Sequence, residues 1–187
     1  NTDIIKEKEF TIIAFSENSI GLLNRLTIIF TRRHLNIESL TVSESAIQGI
    51  FKFTIVVFAT QSLIEKVVKQ IEKVVDVLKA FYLCEDEIIY QEIALYKVPT
   101  EAVTQSTEIE NLVRKHNARI LEITNDYTAI EKTGHKDETQ KLFEDMKKFK
   151  VMQFTRSGRV AVTRPRRERV SEHLEKLATE ALMVTRN

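Results

Sequence analysis

The run Ser16-Glu17-Asn18-Ser19-Ile20-Gly21-Leu22-Leu23-Asn24-Arg25-Leu26 puts amide and hydroxyl side chains and a glycine between two apolar stretches. It falls where a β-branched, apolar strand pattern (Phe10–Phe15) hands over to a helical one. A helix start leaves backbone N–H groups unpaired and carries a partial positive charge. Such a corner suits an anion, including the carboxylate of a free amino acid. Gly21 has no Cβ and lets a ligand or a second backbone come close. Asn18 has two roles open to it, capping the helix or hydrogen-bonding a ligand. Taken alone, the same residues also describe an ordinary cap and tight turn. A second segment, Arg33-His34-Leu35-Asn36-Ile37-Glu38-Ser39-Leu40-Thr41-Val42, follows the helix and adds another amide beside apolar positions.

Catalytic and metal chemistry has little to stand on. His34, His116, His135 and His173 show neither His-x-x-x-His nor His-Glu-x-x-His spacing. Only 4 glycines occur, never as Gly-x-Gly, so no phosphate loop is expected. His116 falls on an apolar helical face and reads as a packed or capping residue. Cys84, the only cysteine, reads as an inert structural thiol at a strand end. A lone thiol forms no internal disulfide, which fits a reducing cytoplasm.

These residues need elements to position them. Ile20–Arg33 sets Leu22, Leu23, Leu26, Ile29 and Phe30 on one helical face. Asn36–Ser45 alternates as a strand, Ile50–Ala59 is an apolar-rich strand after the turn Gln48-Gly49, and Leu63–Val75 is a second amphipathic helix. Val77–Cys84 completes β-α-β-β-α-β. The order then repeats after the acidic joint Glu85-Asp86-Glu87. Strand Glu92–Val98 is followed by helix Ala102–His116, strands Arg119–Thr124 and Thr128–Thr133, and helix Asp137–Phe149. Val151–Thr155 and Arg159–Thr163 flank the turn Ser157-Gly158. The fold class is therefore α+β, two ferredoxin-like βαββαβ domains in tandem with a C-terminal helical tail. The domains are expected at 1–87 and 88–165, with a basic hinge and amphipathic tail over 166–187 (Val170, Leu174, Leu177, Ala181, Val184). The outer face of the first sheet is expected to be apolar enough to call for an oligomer.

Together, Glu-Asn-x-x-Gly-x-Leu-x-Arg (from Glu17) and Asn-Ile-Glu-Ser-Leu-Thr-Val (from Asn36) resemble the N-terminal ACT domain of the small, regulatory subunit of acetohydroxyacid synthase (acetolactate synthase). Val75-Asp76-Val77-Leu78 and, in the second half, Thr155-Arg156-Ser157-Gly158 look like the same family. The resemblance runs over roughly residues 8 to 164. It implies a subunit without an active site that binds and activates a large catalytic subunit carrying thiamine diphosphate, FAD and Mg. It also implies feedback inhibition by valine or a related branched-chain amino acid in branched-chain and isoleucine biosynthesis. ACT domains pair side by side with the effector between them. By position, Asn18, Ser19, Ile20, Gly21, Leu22 and Leu23 match the loop and helix start. Asn36 and Ile37 match the residues that reach the ligand from the neighbouring protomer, and Thr41 and Val42 match the adjoining strand. No cofactor, metal or catalytic residue is implied in this chain. Two departures stand out: the tail from Arg166 onward extends beyond the length of short members of the family, and His34-Leu35 replaces a Gly-aromatic pair, where a glycine fits a left-handed helix end. His34 is read as a cation capping that end, with ligand contact or pH sensing as the other reading.

Bulk composition agrees with a soluble globular chain: 187 residues, 43% hydrophobic, 29% charged, net charge +1. No apolar run approaches the ~18 residues that span a bilayer, and the N-terminus lacks a signal-type apolar core. Charge is uneven, since residues 147–187 hold 11 Lys and Arg against 4 Asp and Glu. Arg156, Arg159, Arg164, Arg166, Arg167 and Arg169 form a basic stretch that reads as a solvated face, a docking surface for the catalytic subunit, or a nucleic-acid contact. The alternatives to the small-subunit reading are an ACT-type regulator of a different enzyme and a ferredoxin-like nucleic-acid binder. The second lacks the aromatic signature such sheets use.

Overall fold

The structure, a computed structural model, describes residues 7–105 and 107–164. They form two compact units: residues up to Ile89 together with Ala161–Arg164, and Tyr90–Val160. The tail expected over 166–187 lies outside the described residues.

The first unit runs β1 (Lys8–Glu17), α1 (Leu22–Thr31), β2 (Ser39–Glu44), β3 (Ile50–Ala59), α2 (Gln61–Ile71) and β4 (Val77–Leu83). Its sheet has the order β2-β3-β1-β4, antiparallel throughout, so β2 is an open edge. Phe10, Ile12 and Ala14 of β1 pack against Leu22, Leu26 and Phe30 of α1 and Ile64, Val67, Val68 and Ile71 of α2. Removing one such side chain costs roughly 2–5 kcal/mol, because the cavity collapses only in part. On the opposite sheet face the apolar side chains Ile13, Phe15, Val56, Phe81 and Leu83 have low exposure.

The chain continues with β5 (Ile88–Pro99), which begins in the first unit and runs into the second, then α3 (Thr100–Thr104), α4 (Glu108–Lys115), β6 (Arg119–Ile123), β7 (Tyr127–Gly134), α5 (Lys136–Met146) and β8 (Gln153–Arg156) in the second unit, and β9 (Val160–Thr163), most of which returns to the first. The order β6-β7-β5-β8 repeats that of the first sheet. Ala94, Tyr96 and Val98 meet Ile109, Val113, Leu142 and Met146 in its core. The Tyr96 hydroxyl donates to Thr139 O at 2.6 Å, and burial pushes its pKa up to about 12.

Two expected elements change. The helix read over Ala102–His116 is two helices. Thr104 Oγ1 donates back to Thr100 O and Glu101 O (3.3 and 3.2 Å), a hydroxyl competing with the helix ladder where hydroxyl residues cluster. Ser157-Gly158 is not a hairpin turn, because β8 and β9 both pair with β5. Ser157 N–H donates to Ile93 O and its hydroxyl accepts from Ile93 N–H, which carries the chain along the same strand.

Candidate functional site

The corner between β1 and α1 is open. Gly21 is the N-cap of α1 at φ 80°, in the left-handed region, and no side chain caps the helix. Asn18 is exposed and does not cap α1, which removes one of its two roles. A Cβ built on Gly21 meets nothing within 4 Å, so the position faces open space and the glycine serves the backbone angle. Ser19 N–H donates to Glu17 O (3.0 Å) and Leu22 N–H to Ser19 O (3.2 Å), folding the loop into a turn. Ile20 is fully exposed and Leu23 is 46% exposed, whereas Leu22 is 3% exposed and belongs to the core.

Arg25 holds this corner in place. Its guanidinium donates to Ser19 Oγ at 3.2 Å and forms an ion pair with Asp76, just before β4. Glu17 N–H donates to Asp76 O at 3.1 Å. Neither Arg25 nor Asp76 was among the expected site residues. They lie 51 residues apart, and the available signal was their place in two separate stretches of the family resemblance. The Ser19 hydroxyl is thus engaged within the chain.

The second group of residues lies at the other end of the sheet. Glu17 of β1 pairs with Ile50 of β3, while Ser39 of β2 pairs with Val56. Six residues of strand separate the two, roughly 20 Å at ~3.4 Å per residue. Asn36 is exposed and Ile37 half-buried against the core, ahead of Ser39. One chain therefore does not bring Asn36 and Ile37 to the Gly21 corner. Thr41 and Val42 sit mid-way along the open edge strand, and Val42 is 40% exposed. Ser16 Oγ, Ser39 Oγ and Thr41 Oγ1 are buried without a hydrogen-bond partner, on β2 and the end of β1.

His34 has φ 52°. Its N–H donates to Thr31 O and Leu35 N–H to Phe30 O, both at 3.1 Å, the paired bonds of a left-handed helix end. Its role is therefore that of the backbone, in the conformation glycine adopts at no steric cost. The imidazole hydrogen-bonds no helix carbonyl among the described residues. His116 packs as expected and also bonds Asp145 Oδ2 at 2.9 Å.

The basic stretch is not a free face where it is described. Arg156 pairs with Glu92 (3.4 Å), Arg159 is 3% exposed and lies 3.7 Å over the Tyr90 ring, and Arg164 donates to Ile88 O (2.9 Å). Among the described residues, one group of side chains has metal-like proximity: Cys84, Asp86 and Glu87. Burial, then the Glu87 and Asp86 carboxylates, push the Cys84 thiol pKa up, disfavouring the thiolate that a metal needs. No helix among the described residues is long and apolar enough to cross a membrane.

The first unit has the fold of an ACT domain, and residues 12–79 match the family model described as the AHAS small subunit-like ACT domain. Residues 91–165 match the model described as the small subunit of acetolactate synthase. The chain is similar to the acetolactate synthase small subunit of Bacillus subtilis, 32% identical over 83% of this chain and 91% of that one. It is also similar to a probable acetolactate synthase small subunit of Archaeoglobus fulgidus, 33% identical over 82% and 96%. The crystal structure of the Thermotoga maritima small subunit superimposes with a TM-score of 0.77 at 27% identity, covering 86% of this chain and 99% of that one. The chain belongs to the acetolactate synthase small-subunit family, and its first unit is the regulatory ACT domain. Membership implies a large catalytic subunit as partner.

Proposed function

We propose that this chain binds valine, or a related branched-chain amino acid, between two ACT domains and so controls the catalytic subunit of acetolactate synthase. The observation that carries the reading is the placement of the two groups of site residues at opposite ends of an open edge strand. A two-fold axis at Thr41–Val42, pairing β2 with β2 antiparallel, brings the Gly21 corner of one protomer to Asn36 and Ile37 of its partner. The unpartnered N–H groups at the start of α1 and the amides of Asn18 and Asn36 then hold carboxylate and ammonium. Ile20, Leu23 and Ile37 surround the aliphatic side chain. The exposed Ile20 and Leu23 and the orphan hydroxyls of β2 support such a closure.

Bound effector favours one arrangement of the ACT pair, and the catalytic subunit responds to that arrangement. The effector shifts the equilibrium only by its differential affinity for the two arrangements. The catalytic subunit, with its thiamine diphosphate, FAD and Mg, performs the chemistry, and this chain both activates it and makes it feedback-sensitive. Calorimetric titration with Val, Leu and Ile, with Ser as control, tests the reading. Saturable binding of a branched-chain amino acid at one site per protomer, with dimer in sedimentation, is expected. Equal response to serine, or binding by a monomer, refutes it. A pocket of this kind discriminates one methylene by ~1–3 kcal/mol, so the three aliphatic ligands will rank rather than exclude one another.

A further inference from the structure

We infer that the groove between α1 and α2 of the first unit is the docking surface for an acidic segment of the catalytic subunit, an inference that rests on the partnership proposed above. The groove has a volume of about 570 Å³. Arg25, Arg32, Arg33 and Lys73 line it, Ile29 and Val74 give it an apolar floor, and no lining residue is acidic. Arg25 is neutralised by Asp76. Arg33 Nε is held by the neutral Gln70 side chain at 3.0 Å, which fixes the guanidinium without compensating its charge. Arg32 and Lys73 have no ion-pair partner among the described residues. A helix C-terminus attracts a cation over its last turn, but three uncompensated charges around one cavity exceed what two helix ends explain.

The arginines that looked available in the sequence, Arg156, Arg159 and Arg164, are engaged inside the fold. The uncompensated cations Arg32, Arg33 and Lys73 share one cavity on the regulatory domain. Charge complementarity selects an occupant with carboxylates for Arg32, Arg33 and Lys73 and an apolar residue for the floor. Complementary charges at such a rim act mainly on the association rate and its salt dependence. A contact here also couples the partner to α1, the helix whose first turn forms the effector corner.

The test uses the full chain and its purified large subunit, with the dissociation constant measured across a salt series. Arg32→Glu with Lys73→Glu is expected to weaken the complex at least tenfold, slow association and flatten the salt dependence, while valine affinity stays unchanged. Because glutamate at a helix end itself destabilises, Arg32→Gln with Lys73→Gln carries the test if the first variant unfolds, with a smaller loss in the same direction. Equal subunit affinity for wild type and both variants overturns the groove assignment and leaves the partnership standing. Failure of the wild-type chain to bind any large subunit overturns the partnership and the groove with it. Thermal stabilisation by inorganic triphosphate that the variants lose, with subunit affinity intact, assigns the groove to a free anion and overturns the proposal. A loss of self-association in the variants, with subunit affinity intact, assigns it to a second copy and also overturns it.

Discussion

The two units reach the same corner by different routes. In the first, four residues separate β1 from α1, and the helix begins on a left-handed Gly21 with no capping side chain. In the second, β5 runs through Pro99 directly into α3. There Thr100 shuts the corner: its N–H donates to Asp126 O (3.2 Å) and its hydroxyl to Thr124 O (2.8 Å), 3.0 Å from the Thr128 hydroxyl. One topology thus holds a helix start that is free to meet a ligand and another that is internally satisfied. Topology places the corner; the residues at it decide whether it can bind anything.

The most severe way to break this contrast is to fill the open corner. Gly21→Asp sets a carboxylate where the effector carboxylate is proposed to lie. Like-charge juxtaposition costs several kcal/mol, so affinity for valine should fall ~100-fold or more by calorimetry, while activation of the catalytic subunit survives. Gly21→Asn is the control, because asparagine tolerates the left-handed angle and adds no charge. A valine-sensitive Gly21→Asp complex would falsify the site assignment. The converse change is Thr100→Val in the closed corner. It leaves Thr124 O and the buried Thr128 hydroxyl short of a partner, at a cost of ~1–3 kcal/mol in denaturant unfolding. Valine affinity should not move. If it does, the second corner takes part in the effector site.

Much of this is legible in the sequence. The period-2 and period-3.6 patterns place both βαββαβ repeats, because each sheet has a helix-covered face that demands those periods. The start of β3 at Ile50 is marked by Gly49, whose φ of 79° needs a glycine-like residue. Less legible were features set by distant residues. The Arg25–Asp76 pair links segments that meet only in the folded sheet. The inward arginines read as a solvated charge run because sequence counts charge without direction. Of the expected site, Gly21, Ile20, Leu23, Asn36 and Val42 are exposed as a binding role requires, while Leu22 belongs to the core because its helical phase points it inward.

The units also end their first helix region alike, on His34 (φ 52°) and Asn117 (φ 50°), each with the paired backbone bonds of a left-handed end. The occupants differ in how well they suit that angle. For a residue with Cβ the left-handed region costs roughly 1–2 kcal/mol, and asparagine recovers part of it through its short polar side chain. His34→Gly should therefore raise stability by about 1 kcal/mol, partly offset by the extra entropy of an unfolded glycine. Asn117→Gly should gain only a few tenths of a kcal/mol on the same argument. Equal gains at the two positions would show that histidine and asparagine are equally strained there.

The smallest expected effect separates the units by acid. Across the helix pair of the first unit the contact is Arg33 to the neutral Gln70 amide. In the second it is His116, with Lys115, to Asp145. The hydrogen bond from His116 is the main cause holding the Asp145 carboxyl below the usual carboxylate range, with Lys115 adding to it. A carboxyl whose folded pKa lies below its unfolded value contributes stability above the unfolded value, near 3.9, and loses it as pH falls through the folded one. Asp145 is about a third exposed, so solvent screening keeps the contribution under ~1 kcal/mol. Below about pH 4 the amides of α4 and α5 should therefore lose exchange protection through this pair. The α1–α2 contact has no such group at its crossing and should not. Asp145→Asn should flatten that part of the acid dependence in the second unit and lower protection slightly at neutral pH. Identical acid profiles for wild type and variant would mean that the pair is too well hydrated to matter, and the two helix crossings would then differ in chemistry but not in stability.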